Sequence, residues 1–129
     1  MNDWTEDQLD RVGAADQLEV ASVRDDGSLR PFTTVWVARV GDELFIRSAY
    51  GPENGWYKRA KEAGVGRIKS AGVIRDVAFV PVPADDTALH AALDAEYSRK
   101  YGPHHAAHVT ATVLGDDVRG VTLRLDAQD

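Results

Sequence analysis

Residues 30–48 read RPFTTVWVARVGDELFIRS, and the reading of this stretch decides the fold. From Phe32 to Val40 most residues are β-branched or aromatic, which suits a half-buried strand. Gly41 and Asp42 tolerate the positive φ of a two-residue turn, so Glu43 to Ser48 is expected to return antiparallel to it. Just upstream, Leu18 to Val23 alternates, and Asp25-Asp26-Gly27-Ser28 is a tight-turn cluster leading into the quoted stretch. Three antiparallel strands in a row follow.

Outside this hairpin pair the chain alternates short helices with further strands. Thr5 and Gln8 form a capping-box pattern, and Leu9 and Val12 continue an apolar stripe, predicting a helix from Thr5 to Val12 closed by Gly13. A second short helix is expected from Trp56 to Ala63, stopped by Gly64, with Lys58, Arg59 and Lys61 on its exposed face. Strands at Gly66–Ser70 and Val73–Val82 are separated by Ala71-Gly72. Asp86 then caps a third helix whose stripe is Leu89, Ala92, Leu93 and Tyr97, leaving His90 and Arg99 toward solvent, and Gly102-Pro103 ends it. Val121, Leu123 and Leu125 alternate in a closing strand. Six strands with short inserted helices point to an α+β chain whose antiparallel sheet curls into a small barrel, a closure that propensity alone leaves undecided. The 129 residues have room for one core, so residues 1–129 are read as a single domain.

Composition removes several function classes. With no cysteine there is no disulfide framework, thiolate zinc site or cysteine nucleophile, and a reducing cytoplasm is the expected setting. A net charge of −6 opposes nucleic-acid binding, and no apolar run approaches the roughly 20 residues that span a bilayer. Against this acidic background, residues 47–69 carry Arg47, Lys58, Arg59, Lys61, Arg67 and Lys69 with only Glu53 and Glu62. A strand ending at Arg47-Ser48, a Gly51 and Gly55 loop and a helix beginning near Trp56 could hold a small anionic ligand such as a phosphate. Arg47 would supply a bidentate contact and Ser48 a hydroxyl. The same charges could equally be a solvated face.

Other motifs carry less. Trp56 and Tyr57 are about 100° apart on a helix, so one is expected to face the core, with Trp56 the anchor and Tyr57 at the edge. One of the two rings could instead stack on a ligand. Trp36 is placed on the strand face of Phe32 and Thr34, as core or dimer interface. His104 and His108 have helical spacing, but two histidines leave zinc short of ligands, and with His105 they read as a surface or interface cluster without metal. Asp25-Asp26 and Asp116-Asp117 sit beside glycines as turn residues. No nucleophile elbow or P-loop is present, so no catalytic residue is assigned.

The segment from Arg30 to Val80, with Arg-Pro-Phe-Thr-Thr-Val-Trp-Val, Leu-Phe-Ile-Arg-Ser and Gly-Pro-Glu-Asn-Gly-Trp-Tyr-Lys-Arg-Ala, resembles the flavin- and deazaflavin-binding split β-barrel superfamily. Its middle is similar to the deazaflavin-dependent nitroreductases. Over nearly the whole chain it resembles a small bacterial family of uncharacterised proteins, sharing Asp25-Asp26-Gly27, Lys100-Tyr101-Gly102 and the terminal Thr122 to Leu125 strand. The resemblance implies a six-stranded split barrel, a homodimer, and FMN or a deazaflavin at the subunit interface. Arg30, Thr33 and Thr34 would flank the ring system, with Trp56 or Tyr57 stacked on it. Arg47, Ser48, Tyr50, Gly51, Asn54 and Lys58 would lie near the phosphate end. The chain lacks the long N-terminal helix of many deazaflavin reductases and has Arg-Ser in place of their Lys-Gly-Gly type loop. The implied activity is hydride transfer by an oxidoreductase; the alternative is a ligand-binding or dimeric interaction domain without cofactor. The dimer is tested by light scattering at micromolar concentration, where the expected mass is twice that of one chain.

Overall fold

The computed structural model describes residues 4–48, 53–112 and 116–128, and within these the side chains other than those of residues 104–112, 116 and 117. The elements are α1 (Glu6–Ala14), β1 (Leu18–Ser22), β2 (Thr33–Val35), β3 (Val37–Val40), β4 (Glu43–Arg47), α2 (Gly55–Ala63), β5 (Val65–Ser70), β6 (Val73–Pro81), α3 (Thr87–Thr112), α4 (Asp116–Arg119) and β7 (Thr122–Ala127). All pairings are antiparallel, in the order β2-β1-β5-β6-β7-β4-β3. The two edge strands, β2 and β3, are consecutive in the chain. The expected single strand 32–40 is therefore two strands, split at Trp36, which turns the expected six strands into seven. β2 pairs with β1 and β3 pairs with β4, so one continuous stretch supplies both edges and the sheet curls into a nearly closed α+β split barrel.

The corner at Trp36 is held from outside by α3. Trp36 leaves the strand face it was expected to share with Thr34 and stacks on Tyr101, with ring centroids 4.2 Å apart and planes 7° from parallel. The Val37 amide donates to the Tyr101 hydroxyl at 3.2 Å, and that hydroxyl donates to the Asp16 carbonyl at 2.9 Å. Lys100 donates to the Val37 carbonyl at 2.8 Å. A bend takes backbone groups out of the ladder, and these bonds satisfy them.

Local chemistry explains most element ends. Both halves of the Thr5–Gln8 capping box form, and α1 continues through Gly13 to Ala14. Gly64 ends α2 in the left-handed region, φ 76°. Ala71 and Gly72, φ 50° and 82°, make the tight turn between β5 and β6. Gly66 answers a different need: a Cβ there would collide with the Ala21 carbonyl and the Phe79 ring, so β1 and β5 approach as closely as they do only over a bare backbone. The Asp86 carboxylate accepts from the Leu89 amide at 3.3 Å, as an N-cap should. α3 does not stop at Gly102-Pro103; Pro103 lies within it, and the helix runs to Thr112.

Two apolar clusters divide the molecule. Inside the barrel, Leu18, Val20, Leu44, Ile46, Ile68, Val77, Leu123 and Leu125 pack with Leu9 and Val12 of α1 and Trp56, Tyr57 and Ala60 of α2. Outside it, Phe45 and Ala38 pack under Leu93, Tyr97 and Tyr101 of α3. Trp56 and Tyr57 are both buried, against the expectation that only one would be, because the two rings meet edge to face at 6.0 Å and the Tyr57 hydroxyl reaches the Gly120 carbonyl at 3.2 Å.

The corner carries an alkaline signature. Burial pushes the Lys100 ammonium down to about 8, against the opposing pull of Glu96 and Asp16, and pushes the Tyr101 phenol up to about 12. Between about pH 8 and 10 the folded chain holds fewer protons at Lys100 than the unfolded one, so stability rises with pH there. Above about pH 10 the unfolded chain loses the Tyr101 proton first, and stability falls. Urea denaturation across this range should show the rise abolished in Lys100→Met and the fall reduced in Tyr101→Phe.

Candidate functional site

Strand alternation sorts the expected site residues onto different faces. In β4, Leu44 and Ile46 point into the barrel, so Phe45 and Arg47 point out, under α3. The Arg47 guanidinium is enclosed there. It donates through Nε to Thr122 Oγ1 at 3.1 Å, through Nη1 to Asp94 at 2.6 Å and through Nη2 to His90 Nδ1 at 3.0 Å. Its Cζ lies 5.6 Å from the centre of the Tyr97 ring. His90, expected at the surface, is fully buried. Arginine can only donate, so His90 Nδ1 is the acceptor and Nε2–H donates to the Pro83 carbonyl at 2.8 Å, which defines the neutral Nε2–H tautomer. Burial raises the Tyr97 phenol far above its ordinary range, the nearby Arg47 charge opposing the rise only partly. Leucine spacing along α3 pointed to its packing, but nothing in the sequence marked His90 and Asp94 as partners of Arg47, 43 and 47 residues away.

Thr33 and Thr34 also part company. Thr33 is paired with Val20 and faces inward, whereas Thr34 is paired with Glu19, which is paired in turn with Lys69 on the outer face. Lys69 there sits 4.1 Å over the Phe32 ring. Arg30 and Thr33 converge instead with Trp56 and Arg59 on a narrow crevice of about 10 Å³ between β1, β2 and α2. Arg59, which the sequence reading counted in the cationic window but not among the cofactor-binding residues, is the new member. Its Nη1 would be 2.7 Å from a Cβ placed on Gly55, so the bare Gly55 backbone is what lets this guanidinium fold back over the first turn of α2. The Arg30 amide donates to the Ser22 carbonyl at 3.0 Å, but neither the Arg30 nor the Arg59 guanidinium makes a hydrogen bond or ion pair among the described residues.

The remaining expected residues are placed as follows. Ser48 is buried, its amide bonded to the Val121 carbonyl at 3.1 Å. Asn54 is the N-cap of α2 without a side-chain capping bond, and Lys58 is exposed and paired with Glu53 at 3.2 Å. Tyr50 and Gly51 lie outside the described residues, as do the side chains of His104, His105, His108, Asp116 and Asp117. Among the described residues no cluster of potential metal ligands forms, and no helix is long and apolar enough to cross a membrane.

A nearly closed antiparallel barrel with short helices inserted between its strands gives the chain the split-barrel fold. Residues 8–125 match the family model DUF2255, uncharacterized protein conserved in bacteria, and the chain belongs to that family. Among solved structures it is similar to a candidate 5-nitroimidazole antibiotic resistance protein from Bacteroides thetaiotaomicron, with TM-score 0.64 and 13% identity over 100% of this chain and 83% of that one. It is also similar to an F420 reductase, TM-score 0.54 and 17% identity over 98% and 97% of the two chains. A third is the FAD and heme binding protein from Mycobacterium smegmatis, TM-score 0.52 and 20% identity over 97% and 72%. No curated protein matches the sequence significantly.

Breaking the enclosed ion pair tests how α3 is held. Asp94→Ala leaves the Arg47 charge buried without its carboxylate and should cost about 3–5 kcal/mol in denaturant titrations. The double variant Arg47→Met, Asp94→Leu should recover much of that loss, because an apolar pair of similar volume leaves no buried charge.

Proposed function

We propose that this chain binds a flavin or deazaflavin cofactor and acts as an oxidoreductase in which that cofactor, when bound, supplies hydride transfer. The observation that supports this most is the pair of uncommitted guanidiniums, Arg30 and Arg59, at the mouth of a crevice that also presents Thr33 and Trp56. These residues fit the phosphate end of such a cofactor: two bidentate donors, a hydroxyl and an indole. Asn54 is the N-cap of α2 and Lys58 lies in its first turn, next in sequence to the crevice residues Trp56 and Arg59. Tyr57 supports Trp56 edge to face rather than contacting the ligand itself.

A crevice of about 10 Å³ cannot enclose a tricyclic ring, so the ring lies over its mouth and a second copy of the chain covers it. Thr34, on the opposite face from Thr33, reaches a ring only across such an interface. Arg47 is a positioning residue in this scheme: its bonds to Asp94 and His90 hold the end of β4, from which the chain departs toward α2. One observation favours a second reading, a ligand-binding or dimeric interaction domain without turnover. Arg47, the strongest sequence candidate for the anion contact, is spent on the fold.

The absorption spectrum of freshly purified protein, followed by titration with FMN and with the deazaflavin cofactor, tests the proposal. Saturable binding below millimolar concentration is expected, weakened in Arg30→Ala by about 1.5–3 kcal/mol, the loss of a charge-assisted bond. Binding of neither cofactor would leave the interaction-domain reading.

A further inference from the structure

The crevice opens outward, across Arg30 and Arg59, into a separate groove of about 370 Å³ between the hairpin turn after β1 and the far half of α2. We propose that this groove is a subsite for a nucleoside phosphate. It shares Arg30 and Arg59 with the proposed cofactor site and deepens that reading, giving the ligand a second, nucleotide half.

Three features of the lining support this ligand class. One part of the lining is apolar, Val23, Ala63 and Val65, and Val65 is 45% exposed, one of two large hydrophobic residues so exposed among the described residues. A flat heteroaromatic base would cover it. The rim is cationic: Arg30 and Arg59 are uncommitted, and Arg24 is anchored by its Nη1 bonds to Ser28 Oγ at 3.3 Å and the Leu29 carbonyl at 3.1 Å. Three guanidiniums at one rim are suited to a phosphate, which they can grip in bidentate fashion. Finally, the carboxylates of Asp25 and Glu62 line the same groove and make no hydrogen bond or ion pair among the described residues. They are acceptors for the hydroxyl pair of a ribose.

The combination discriminates among ligands. A free phosphate would leave the apolar lining uncovered, and a nucleoside would leave the guanidiniums without an anion. A nucleoside monophosphate satisfies the apolar lining, the guanidiniums and the carboxylates together, and the groove volume lies in the range of small-molecule sites, about 300–1,000 Å³.

The full chain, isotope-labelled for NMR, is titrated with AMP, adenosine and inorganic phosphate. AMP should shift the amide resonances of Val23, Arg24, Glu62 and Val65 saturably, with adenosine and phosphate each at least about tenfold weaker. Arg24→Gln and Arg59→Gln should each weaken AMP about tenfold while the melting temperature stays unchanged, since both arginines are exposed. No saturable shift at these residues, or phosphate or adenosine binding as tightly as AMP, would overturn the proposal. A parallel FMN titration separates the two readings: AMP binding without FMN binding removes the flavin cofactor and keeps the groove, whereas FMN binding without AMP binding does the reverse.

Discussion

The bend at Trp36 and Val37 is the constraint on which the rest of the barrel depends. A curled sheet must do something with its two edges, which otherwise offer unpaired amides and carbonyls to any passing strand. Here both edges belong to one continuous stretch, so a single corner brings the ends of the sheet together. The corner holds because Tyr101 and Lys100 satisfy the backbone of Val37 and because the Trp36 ring lies flat on Tyr101. The Lys100-Tyr101-Gly102 motif thus has a mechanical role: it is the outer clamp on the closure of the sheet.

That clamp sits on α3, and α3 in turn is seated by a polar core. Beneath Leu93 and Tyr97, the Arg47 guanidinium meets Asp94, His90 and Thr122, each bond directed by the one-way donor chemistry of arginine. A buried charge surrounded this way specifies one position for the helix along the sheet, because sliding α3 by a turn would strand the guanidinium without its carboxylate. The closure of the barrel and the docking of α3 are therefore coupled through a single helix. One end of its described side chains grips Arg47 and the other grips Val37.

Using Arg47 for the fold moves the cationic surface elsewhere. Near α2, Lys58 and Lys61 are exposed on the helix itself, while Arg30 and Arg59, with Arg24 beyond them, border a crevice and a groove. Gly55 contributes by what it lacks, since any side chain there would displace the Arg59 guanidinium.

How much of this was legible beforehand depends on whether the signal was local. The capping box at Thr5 and Gln8, the left-handed stop at Gly64, the Ala71-Gly72 turn and the N-cap at Asp86 are interactions among residues within a few positions of one another, and the sequence by itself determined them. The α+β class came from the same alternations and turns, whereas the split barrel came from the resemblance carried by the motifs between Arg30 and Val80. The two faces of β4 could not be told apart, because Leu44, Phe45 and Ile46 are all apolar and carry no alternation from which to place Arg47. The break at Trp36 was equally invisible: every residue from Thr33 to Val37 favours an extended conformation, and it is the distant Tyr101 hydroxyl and Lys100 ammonium that give a bent backbone its partners. His90 fell on the wrong side of α3 for a related reason, since a polar residue beside a leucine stripe reads as solvent-facing until a buried arginine requires an acceptor. Short-range hydrogen bonding and backbone sterics are written in neighbouring residues, whereas pairing between a strand and a helix more than 40 residues apart exists only once the chain has folded.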